Sequence, residues 1–292
     1  MRFEGTYTAL VTPFDRKNKL DEDGLKELLR FQLREGIEGL VPVGTTGECA
    51  TLSYEEHERV IEIVVKEVKG RVPVVAGTGS NSTREALMLT RFAKKVKADG
   101  ALLVVPYYNR PTQEGLYLHF KTLAEEVDIP QILYNIPSRT GVNLLPTTVA
   151  RLSELKNIVG IKEASTVEQV SEVIELTRGK DFVVFSGNDN QTLPILALGG
   201  VGVISVASNV APRLVKEMVD AFRKGNLKEA QEIHYRLSPL FRALFLETNP
   251  APVKAALELM GLPAGPPRLP LVEVKRETRE ELKKILSALG LR

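Results

Sequence analysis

Short apolar runs recur along residues 1–225, and longer amphipathic segments separate them. Each run has the length of a strand and is rich in β-branched residues, and none alternates cleanly with polar residues. Strands that are covered on both faces have this pattern. The eight runs are 8–14, 39–43, 73–77, 101–106, 131–135, 158–162, 182–187 and 202–206.

The segments between the runs carry signals of helix starts. Ser53, Ser82 and Thr166 are each followed three residues later by Glu or Gln, which is the pattern of a capping box. Strands that alternate with helices predict a parallel sheet with crossover helices. Eight such units predict a closed (β/α)8 TIM barrel over residues 1–225, classed as α/β. A doubly wound open sheet is the rival fold, but no G-x-G-x-x-G motif follows the first strand.

The strand signal stops near residue 226, and helical periodicity continues to the end of the chain. The helical segments are 228–245, 252–260 and 278–289, and the loop 261–270 joins the last two. We therefore predict a C-terminal helical domain over residues 226–292. It would pack on the barrel or on a partner subunit.

Composition excludes several classes of protein. The chain has 292 residues with a formal charge of +2, so no bulk field recruits nucleic acid. Cys49 is the one cysteine, which excludes an internal disulfide and a multi-cysteine zinc site. The first residues lack the apolar stretch of a leader, and no apolar run reaches membrane-spanning length. We expect a cytoplasmic protein without a membrane partner.

Polar side chains stand where the predicted strands end. In a barrel, these ends meet at one mouth. The side chains are Thr45, Thr46, Tyr107, Tyr108, Arg110, Tyr134, Ser138, Arg139, Lys162, Glu163, Asn188 and Asp189. The three histidines, His57, His119 and His234, fall in helical segments instead. A His/Cys metal cluster and a Ser-His-Asp triad are therefore not predicted at the mouth.

Lys162 closes an apolar run, and an ammonium group is costly to bury without a partner. Either its side chain reaches water, as most strand-end lysines do, or its amine is used. Desolvation lowers the pKa of a lysine, and the neutral amine can form a Schiff base with a carbonyl. The imine lets the neighbouring carbon lose a proton and become a nucleophile, which is aldolase chemistry. Two strand-end phenols, with Thr45 or Thr46 between them, could move the protons, or they could be rim side chains in water.

Four motifs carry a resemblance to a known family. GTTGE (44–48), PYYNRP (106–111), YNIPSRTG (134–141) and GIKEAS (160–165) resemble the pyruvate-dependent class I aldolases, which include N-acetylneuraminate lyase. The resemblance covers the whole chain. It is strongest to the lyases that condense pyruvate with L-aspartate 4-semialdehyde to 4-hydroxy-tetrahydrodipicolinate, in lysine and diaminopimelate biosynthesis. It implies no metal and no organic cofactor.

The resemblance also implies roles for single residues. Lys162 would form the imine with pyruvate, and Tyr134 would donate and accept protons. Thr45 would link Tyr134 to Tyr108, which would reach in from a neighbouring subunit. The residues that hold or line the substrates would be Thr46 for the pyruvate carboxylate, Arg139 for the carboxylate of the aldehyde, and Gly187 and Ile204 in the pocket wall.

Two other functions stay open. The first is a sister Schiff-base aldolase, such as N-acetylneuraminate lyase or a keto-sugar-acid aldolase. Arg139 favours the short acidic aldehyde, because a guanidinium suits a carboxylate whereas a sugar chain needs hydroxyl partners. The side chain of Arg139 could also be a surface ion pair. The second alternative is a non-catalytic barrel that senses pyruvate or lysine.

The resemblance further implies a homotetramer, a dimer of dimers, that L-lysine inhibits at a subunit interface. The matching residues are Cys49, Ala50, His57, Asn81, Glu85 and Tyr107. Glu85 could pair with the ammonium group of lysine, and His57 and Tyr107 could donate hydrogen bonds to it. Tyr54 stands where many bacterial relatives carry histidine, and Glu85 also belongs to a predicted capping box.

Overall fold

Eight parallel strands form the inner wall of the computed structural model, which describes residues 3–292. They are β1 Gly5–Ala9, β2 Gly39–Val41, β3 Val75–Gly77, β4 Gly100–Val104, β5 Gln131–Asn135, β6 Ile158–Glu163, β7 Val183–Ser186 and β8 Gly202–Ser205. The strands pair in the order β2-β1-β8-β7-β6-β5-β4-β3. A parallel bridge between Leu40 and Val74 joins the two ends of this order, so the sheet closes. The predicted barrel is confirmed, and the open sheet is wrong.

The first strand differs most from its predicted bounds. The apolar run continues to Phe14, but the ladder ends at Ala9. Beyond it, the backbone N–H of Val11 donates to the Asn209 side chain, and the hydroxyl of Thr12 donates to the carbonyl of Gly47. Residues 10–14 are therefore buried because they pack under loops at the barrel mouth, which hydrophobicity alone cannot distinguish from a strand.

Helices cover the outside of the barrel. They are α1 Glu22–Arg34, α2 Tyr54–Val68, α3 Thr83–Lys95, α4 Gln113–Glu126, α5 Pro137–Thr140, α6 Pro146–Leu152, α7 Val167–Leu176, α8 Thr192–Leu198 and α9 Pro212–Arg223. Ser53 and Glu56 form the predicted reciprocal box at the start of α2. Ser82 and Thr166 cap α3 and α7 in the predicted way. Their partners do not reach back, because Glu85 accepts a hydrogen bond from Ser80 and the amide of Gln169 bonds Asn143.

Large side chains fill the interior of the barrel below its mouth. Tyr7 and Phe185 meet edge to face, with ring centroids 5.3 Å apart. Val41, Tyr134 and Ile204 belong to the same buried cluster. The barrel is therefore a packed core, and the candidate catalytic side chains lie at the carboxyl ends of the strands.

Three further helices complete the chain: α10 Leu227–Ala243, α11 Ala251–Leu259 and α12 Arg276–Leu289. They agree with the predicted segments to within a few residues at each end. Leu240 of α10, Val253 of α11 and Leu286 of α12 share one buried cluster with Val215 of α9. The helical tail thus packs on the barrel. The division into two domains at residue 226 stays a prediction.

No helix in the described part of the chain has both the length and the apolar character that a membrane span needs.

Candidate active site

Lys162 lies inside the barrel mouth near the end of β6. Strand alternation places Ile161 in the outer core and Lys162 on the inner face, where its side chain is only 4% exposed. In the neighbouring strand β5, Tyr134 pairs with Lys162 in register. The Nζ atom lies 4.2 Å from the centroid of the Tyr134 ring. Within residues 3–292, Lys162 has no ion-pair partner, so the buried amine contacts the ring of a phenol and is not bonded to a carboxylate.

Asp189 is a buried carboxylate close enough to Lys162 for their charges to interact. It follows β7 and accepts hydrogen bonds from the Ser205 hydroxyl and from the backbone N–H groups of Val206 and Ala207. Burial raises the pKa of Asp189, and these hydrogen bonds and the lysine charge oppose that rise. Its donors hold it at the end of β8, where it forms part of the electrostatic environment of the amine.

Gly187 and Ile204 are the residues that the sequence predicts in the pocket wall. A Cβ atom on Gly187 would lie 2.6 Å from the Cβ of Ala164, so the close approach of the β6 and β7 ends requires glycine. Ile204 is fully buried in the cluster that contains Tyr134. Gly187 directly follows β7 and Ile204 lies near the carboxyl end of β8, and their part in lining the substrate pocket stays a prediction.

The loop after β2 presents Thr45 and Thr46. It is folded by hydrogen bonds from the N–H of Gly47 to the carbonyl of Gly44 and from the N–H of Glu48 to the carbonyl of Thr45, each 3.1 Å long. Thr45 lines a cavity of about 310 Å³. Thr46 is 3% exposed, and its Oγ1 accepts a hydrogen bond from Nδ2 of Asn249 at 3.0 Å.

Arg139 lies in the short helix α5 that directly follows β5. It lines the cavity of Thr45 and a second cavity of about 550 Å³. Its Nη2 donates to the backbone carbonyl of Asn249 at 3.2 Å. Among the residues that the structure describes, no carboxylate forms an ion pair with Arg139. The surface ion pair considered from the sequence is absent there, and the guanidinium faces open space.

Tyr108 projects away from its own barrel. It is 90% exposed, and its backbone has a φ angle of +72°, a region that L-residues seldom adopt. Its N–H donates to the carbonyl of Thr140 at 3.4 Å. The structure of the single chain therefore does not bring the Tyr108 phenol to Thr45.

The residues predicted to bind lysine divide into two groups. Cys49, Ala50 and Tyr107 line the 310 Å³ cavity together with Thr45 and Arg139. Burial raises the pKa of the Cys49 thiol to about 11, so it is protonated and unreactive at neutral pH. Three of the six predicted regulatory residues therefore share a cavity with two of the predicted substrate-site residues.

The second group of residues predicted to bind lysine lies around Glu85. It accepts a hydrogen bond from Ser80 at 2.8 Å, and its contact with the Tyr54 phenol raises the pKa of that phenol. Asn81 donates to the backbone carbonyl of Tyr107 at 3.1 Å, which connects this group to the cavity.

His57 has a different role from the predicted one. Its Nε2 lies 2.7 Å from the carbonyl oxygen of Gly77, which can only accept, so Nε2–H is the donor. Burial lowers the pKa of His57, which keeps the ring neutral. Only Nδ1 remains, and in this tautomer it is an acceptor. The expectation that His57 donates to a bound amino acid is therefore not met.

Sequence reasoning missed two residues that support the site. Asn249 bonds both Thr46 and Arg139, and Lys254 bonds Glu48 of the Thr45–Thr46 loop at 2.7 Å. Both residues come from the helical tail, so no strand end indicated them. The available signal was a lysine in the middle of the mostly apolar helix that follows Asn249.

The model of the dihydrodipicolinate synthetase family matches residues 2–289. The chain is 57% identical over 289 residues to 4-hydroxy-tetrahydrodipicolinate synthase of Methanothrix thermoacetophila, covering 99% of this chain and 97% of that one. It superposes on the chloride-inhibited dihydrodipicolinate synthase of Acinetobacter baumannii, complexed with pyruvate, with a TM-score of 0.97, 43% identity and 99% coverage of each chain. For the enzyme of Cyanidioschyzon merolae with lysine bound, the TM-score is 0.96 and the identity 42%, again with 99% coverage of each chain. The chain belongs to the dihydrodipicolinate synthetase family.

Proposed function

We propose that the chain is a lyase that condenses pyruvate with L-aspartate 4-semialdehyde through a Schiff base on Lys162, giving 4-hydroxy-tetrahydrodipicolinate. The observation that carries the proposal is the buried amine of Lys162, 4.2 Å from the ring centroid of Tyr134 and without an ion-pair partner in the described chain. Because no carboxylate is bonded to it among residues 3–292, this amine is available to a carbonyl substrate. Membership of the family and the names of its close relatives support the same reaction.

The reaction begins at the Lys162 amine, which attacks the keto carbon of pyruvate. Tyr134 supplies a proton to the departing oxygen, one water leaves, and an imine forms. The imine draws electrons from the pyruvate methyl group, which loses a proton to the Tyr134 phenolate and becomes an enamine. The enamine carbon attacks the aldehyde carbon of the second substrate, and Tyr134 returns the proton to the new alkoxide. The amino group of that substrate then attacks the imine carbon, closes the ring and releases Lys162.

The remaining site residues hold the two carboxylates. Thr46 and the adjacent backbone N–H groups bind the carboxylate of pyruvate. Arg139 binds the carboxylate of the semialdehyde through the guanidinium donors that remain beside its bond to Asn249. This feature favours the acidic aldehyde over the sugar chain that a sister aldolase accepts.

Trapping the imine tests the proposal. We expect borohydride reduction in the presence of pyruvate to leave a covalent adduct on Lys162, found by mass spectrometry of peptides, and none on the other buried lysine, Lys254. The Lys162→Ala variant should give no adduct. An unmodified Lys162 in the wild-type protein would refute both aldolase functions and favour a sensing barrel.

A coupled assay that compares the semialdehyde with sugar aldehydes as acceptors then distinguishes the two aldolase functions.

We also propose a cytoplasmic homotetramer in which Tyr108 enters the site of a neighbouring subunit and L-lysine binds near Glu85. The exposed Tyr108 and the shared cavity of Cys49, Tyr107 and Thr45 support this arrangement. A reducing compartment suits a chain with one cysteine. We expect millimolar lysine to inhibit the wild type and not Glu85→Ala. Equal responses of the two proteins would contradict the site, and sedimentation measures the assembly.

A further inference from the structure

Asn249 lies between the two side chains that the proposed function assigns to the substrate carboxylates. It precedes α11, is 4% exposed and lines the two cavities next to Arg139. Its Nδ2 donates to Oγ1 of Thr46 at 3.0 Å. Its backbone carbonyl accepts from Nη2 of Arg139 at 3.2 Å. One buried residue of the helical tail thus contacts both carboxylate-binding groups.

The direction of the bond to Thr46 determines what that hydroxyl can do. A hydroxyl group has one donor and two acceptor positions. Because Asn249 donates, Thr46 uses an acceptor position, and its own hydrogen remains free to donate to a ligand. A hydroxyl that donates to a carboxylate makes a charge-assisted hydrogen bond. The amide therefore selects the hydroxyl orientation that suits an anionic ligand.

The other polar atom of the same amide has no partner. Oδ1 of Asn249 is buried without a hydrogen bond among residues 3–292. An unsatisfied buried acceptor typically costs about 1–3 kcal/mol, so stability alone does not account for an amide at this position.

The segment that carries Asn249 is held firmly against the same loop. Lys254 of α11 pairs with Glu48 at 2.7 Å, and both side chains are 1% exposed. The Lys254 ammonium also donates to the carbonyls of Thr12 and Pro266, at 3.1 and 3.0 Å. The loop after β2 is therefore tied to the tail at Thr46 and at Glu48. This double attachment fixes the geometry that the Asn249 amide presents to Thr46.

We infer that Asn249 is a positioning residue for the proposed reaction, which orients the Thr46 hydroxyl as a donor to the pyruvate carboxylate. The inference rests on the proposed function. The Asn249 side chain acts through Thr46, because the contact with Arg139 uses the backbone carbonyl of Asn249 and does not depend on its side chain. Loss of the amide is thus expected to weaken pyruvate binding more than binding of the semialdehyde.

Two variants test the role of the amide. Asn249→Ala removes the donor and keeps the carbonyl to Arg139, so KM for pyruvate should rise about tenfold and KM for the semialdehyde less than about twofold. Asn249→Asp can accept but not donate, and it takes up the Thr46 hydrogen while adding negative charge between two carboxylate sites. It should raise KM for pyruvate about 100-fold and KM for the semialdehyde as well.

A double-mutant cycle shows whether the effect passes through Thr46. If it does, Thr46→Val and the Thr46→Val/Asn249→Ala double variant should have the same KM for pyruvate. The inference would be overturned if the effects of Thr46→Val and Asn249→Ala on KM for pyruvate multiplied in the double variant. An Asn249→Asp variant with the wild-type KM for pyruvate would also overturn it.

Asn157→Asp is the matched control, since its Nδ2 donates to the carbonyl of Ala124 at 2.8 Å, just before β6 at the opposite end of the barrel. It makes the same chemical change and should leave both KM values unchanged. Borohydride trapping on wild-type Lys162 distinguishes a failure of the proposed function from a failure of the role inferred for Asn249. A missing adduct refutes the proposed function, whereas a normal adduct with unaltered Asn249 variants refutes only the role of Asn249.

Discussion

Two lysines are buried among residues 3–292, and their polar partners differ. Lys162 at the mouth and Lys254 on α11 both place Nζ over an aromatic ring, 4.2 Å from the centroid of Tyr134 and 4.4 Å from that of Phe14. Lys254 is also paired with Glu48 and bonded to two carbonyls. Lys162 has none of these partners within residues 3–292. Burial and a ring contact are therefore common to both lysines, and only the carboxylate and carbonyl partners distinguish them.

Two arginines repeat the contrast. Arg268 makes two 2.6 Å bonds to the carboxylate of Glu56 and donates to the carbonyls of Asn18 and Thr51. Arg139 donates only to one carbonyl among the described residues, that of Asn249. A cation whose donors are used within the chain stabilises the fold, whereas a cation with free donors is available to a ligand. The arrangement of partners thus separates the cations that are bonded within the chain from those to which the proposed function assigns a substrate.

The largest expected effect comes from replacing each lysine by methionine. Lys254→Met leaves the Glu48 carboxylate buried without its partner, so the free energy of unfolding should fall by about 3–5 kcal/mol. Lys162→Met removes an unpaired buried amine, so the same free energy should change by less than about 1 kcal/mol, while activity falls more than about 10⁴-fold. Urea unfolding and the borohydride adduct measure the two effects.

Glu48→Leu provides the control for Lys254→Met. Combined with Lys254→Met, it removes both charges, and the double variant should recover much of the lost stability. If Lys162→Met destabilised the protein as much as Lys254→Met, Lys162 would be a structural cation and the contrast would fail.

Much of the fold could be predicted from the sequence because barrel strands are buried on both faces and their apolar runs are continuous. Lys162 and Tyr134 could be predicted as neighbours because successive strand ends meet at one mouth. The same reasoning fails for the run 8–14, where residues beyond Ala9 are buried under loops instead of in the ladder.

The partners from the tail could not be predicted in this way. Lys254 and Asn249 act on the loop after β2 from more than 200 positions away, and Lys254 reaches Glu48 across that separation. Local periodicity carries no information about such contacts. From the sequence, a lysine on a helix is predicted to be exposed to solvent. Whether it is buried depends on where the helix packs.

The next effect sharpens the contrast between the arginines. Arg139→Met should raise KM for the semialdehyde about 30-fold, as expected for the loss of a charge-assisted contact, and leave the pyruvate adduct on Lys162 intact. Arg268→Met should lower the free energy of unfolding by about 1 kcal/mol, because its pair with Glu56 is only partly buried, and leave both KM values unchanged. Steady-state kinetics with each substrate varied in turn measure these KM values. A shift of KM for the semialdehyde in Arg268→Met would contradict the contrast between the two arginines.

The smallest effect concerns a carboxylate without a cation. Glu163 is fully buried, and neutral donors surround it: the amides of Asn135 and Gln169 and the N–H of Ser165. Burial raises the pKa of Glu163 above its ordinary value of 4.5, and the hydrogen bonds only partly oppose this rise. The folded state therefore holds the proton more tightly than the unfolded state. The associated stability is present below the unfolded pKa and is lost as the pH rises through the folded pKa.

Glu163→Gln cannot ionise, so its free energy of unfolding should lack the fall that the wild type shows as the pH rises through the folded pKa of Glu163. We expect the free energy of unfolding of the variant, relative to that of the wild type, to rise by about 1 kcal/mol for each unit by which the folded pKa exceeds the unfolded one. Urea unfolding measures this difference from about pH 4, near the ordinary pKa of a glutamate, to about pH 8. The control is Glu62→Gln on α2, since Lys66 and Arg59 lower the pKa of Glu62 and the difference should change in the opposite direction. A constant difference for Glu163→Gln would mean that a cation compensates its charge, as Lys254 does for Glu48.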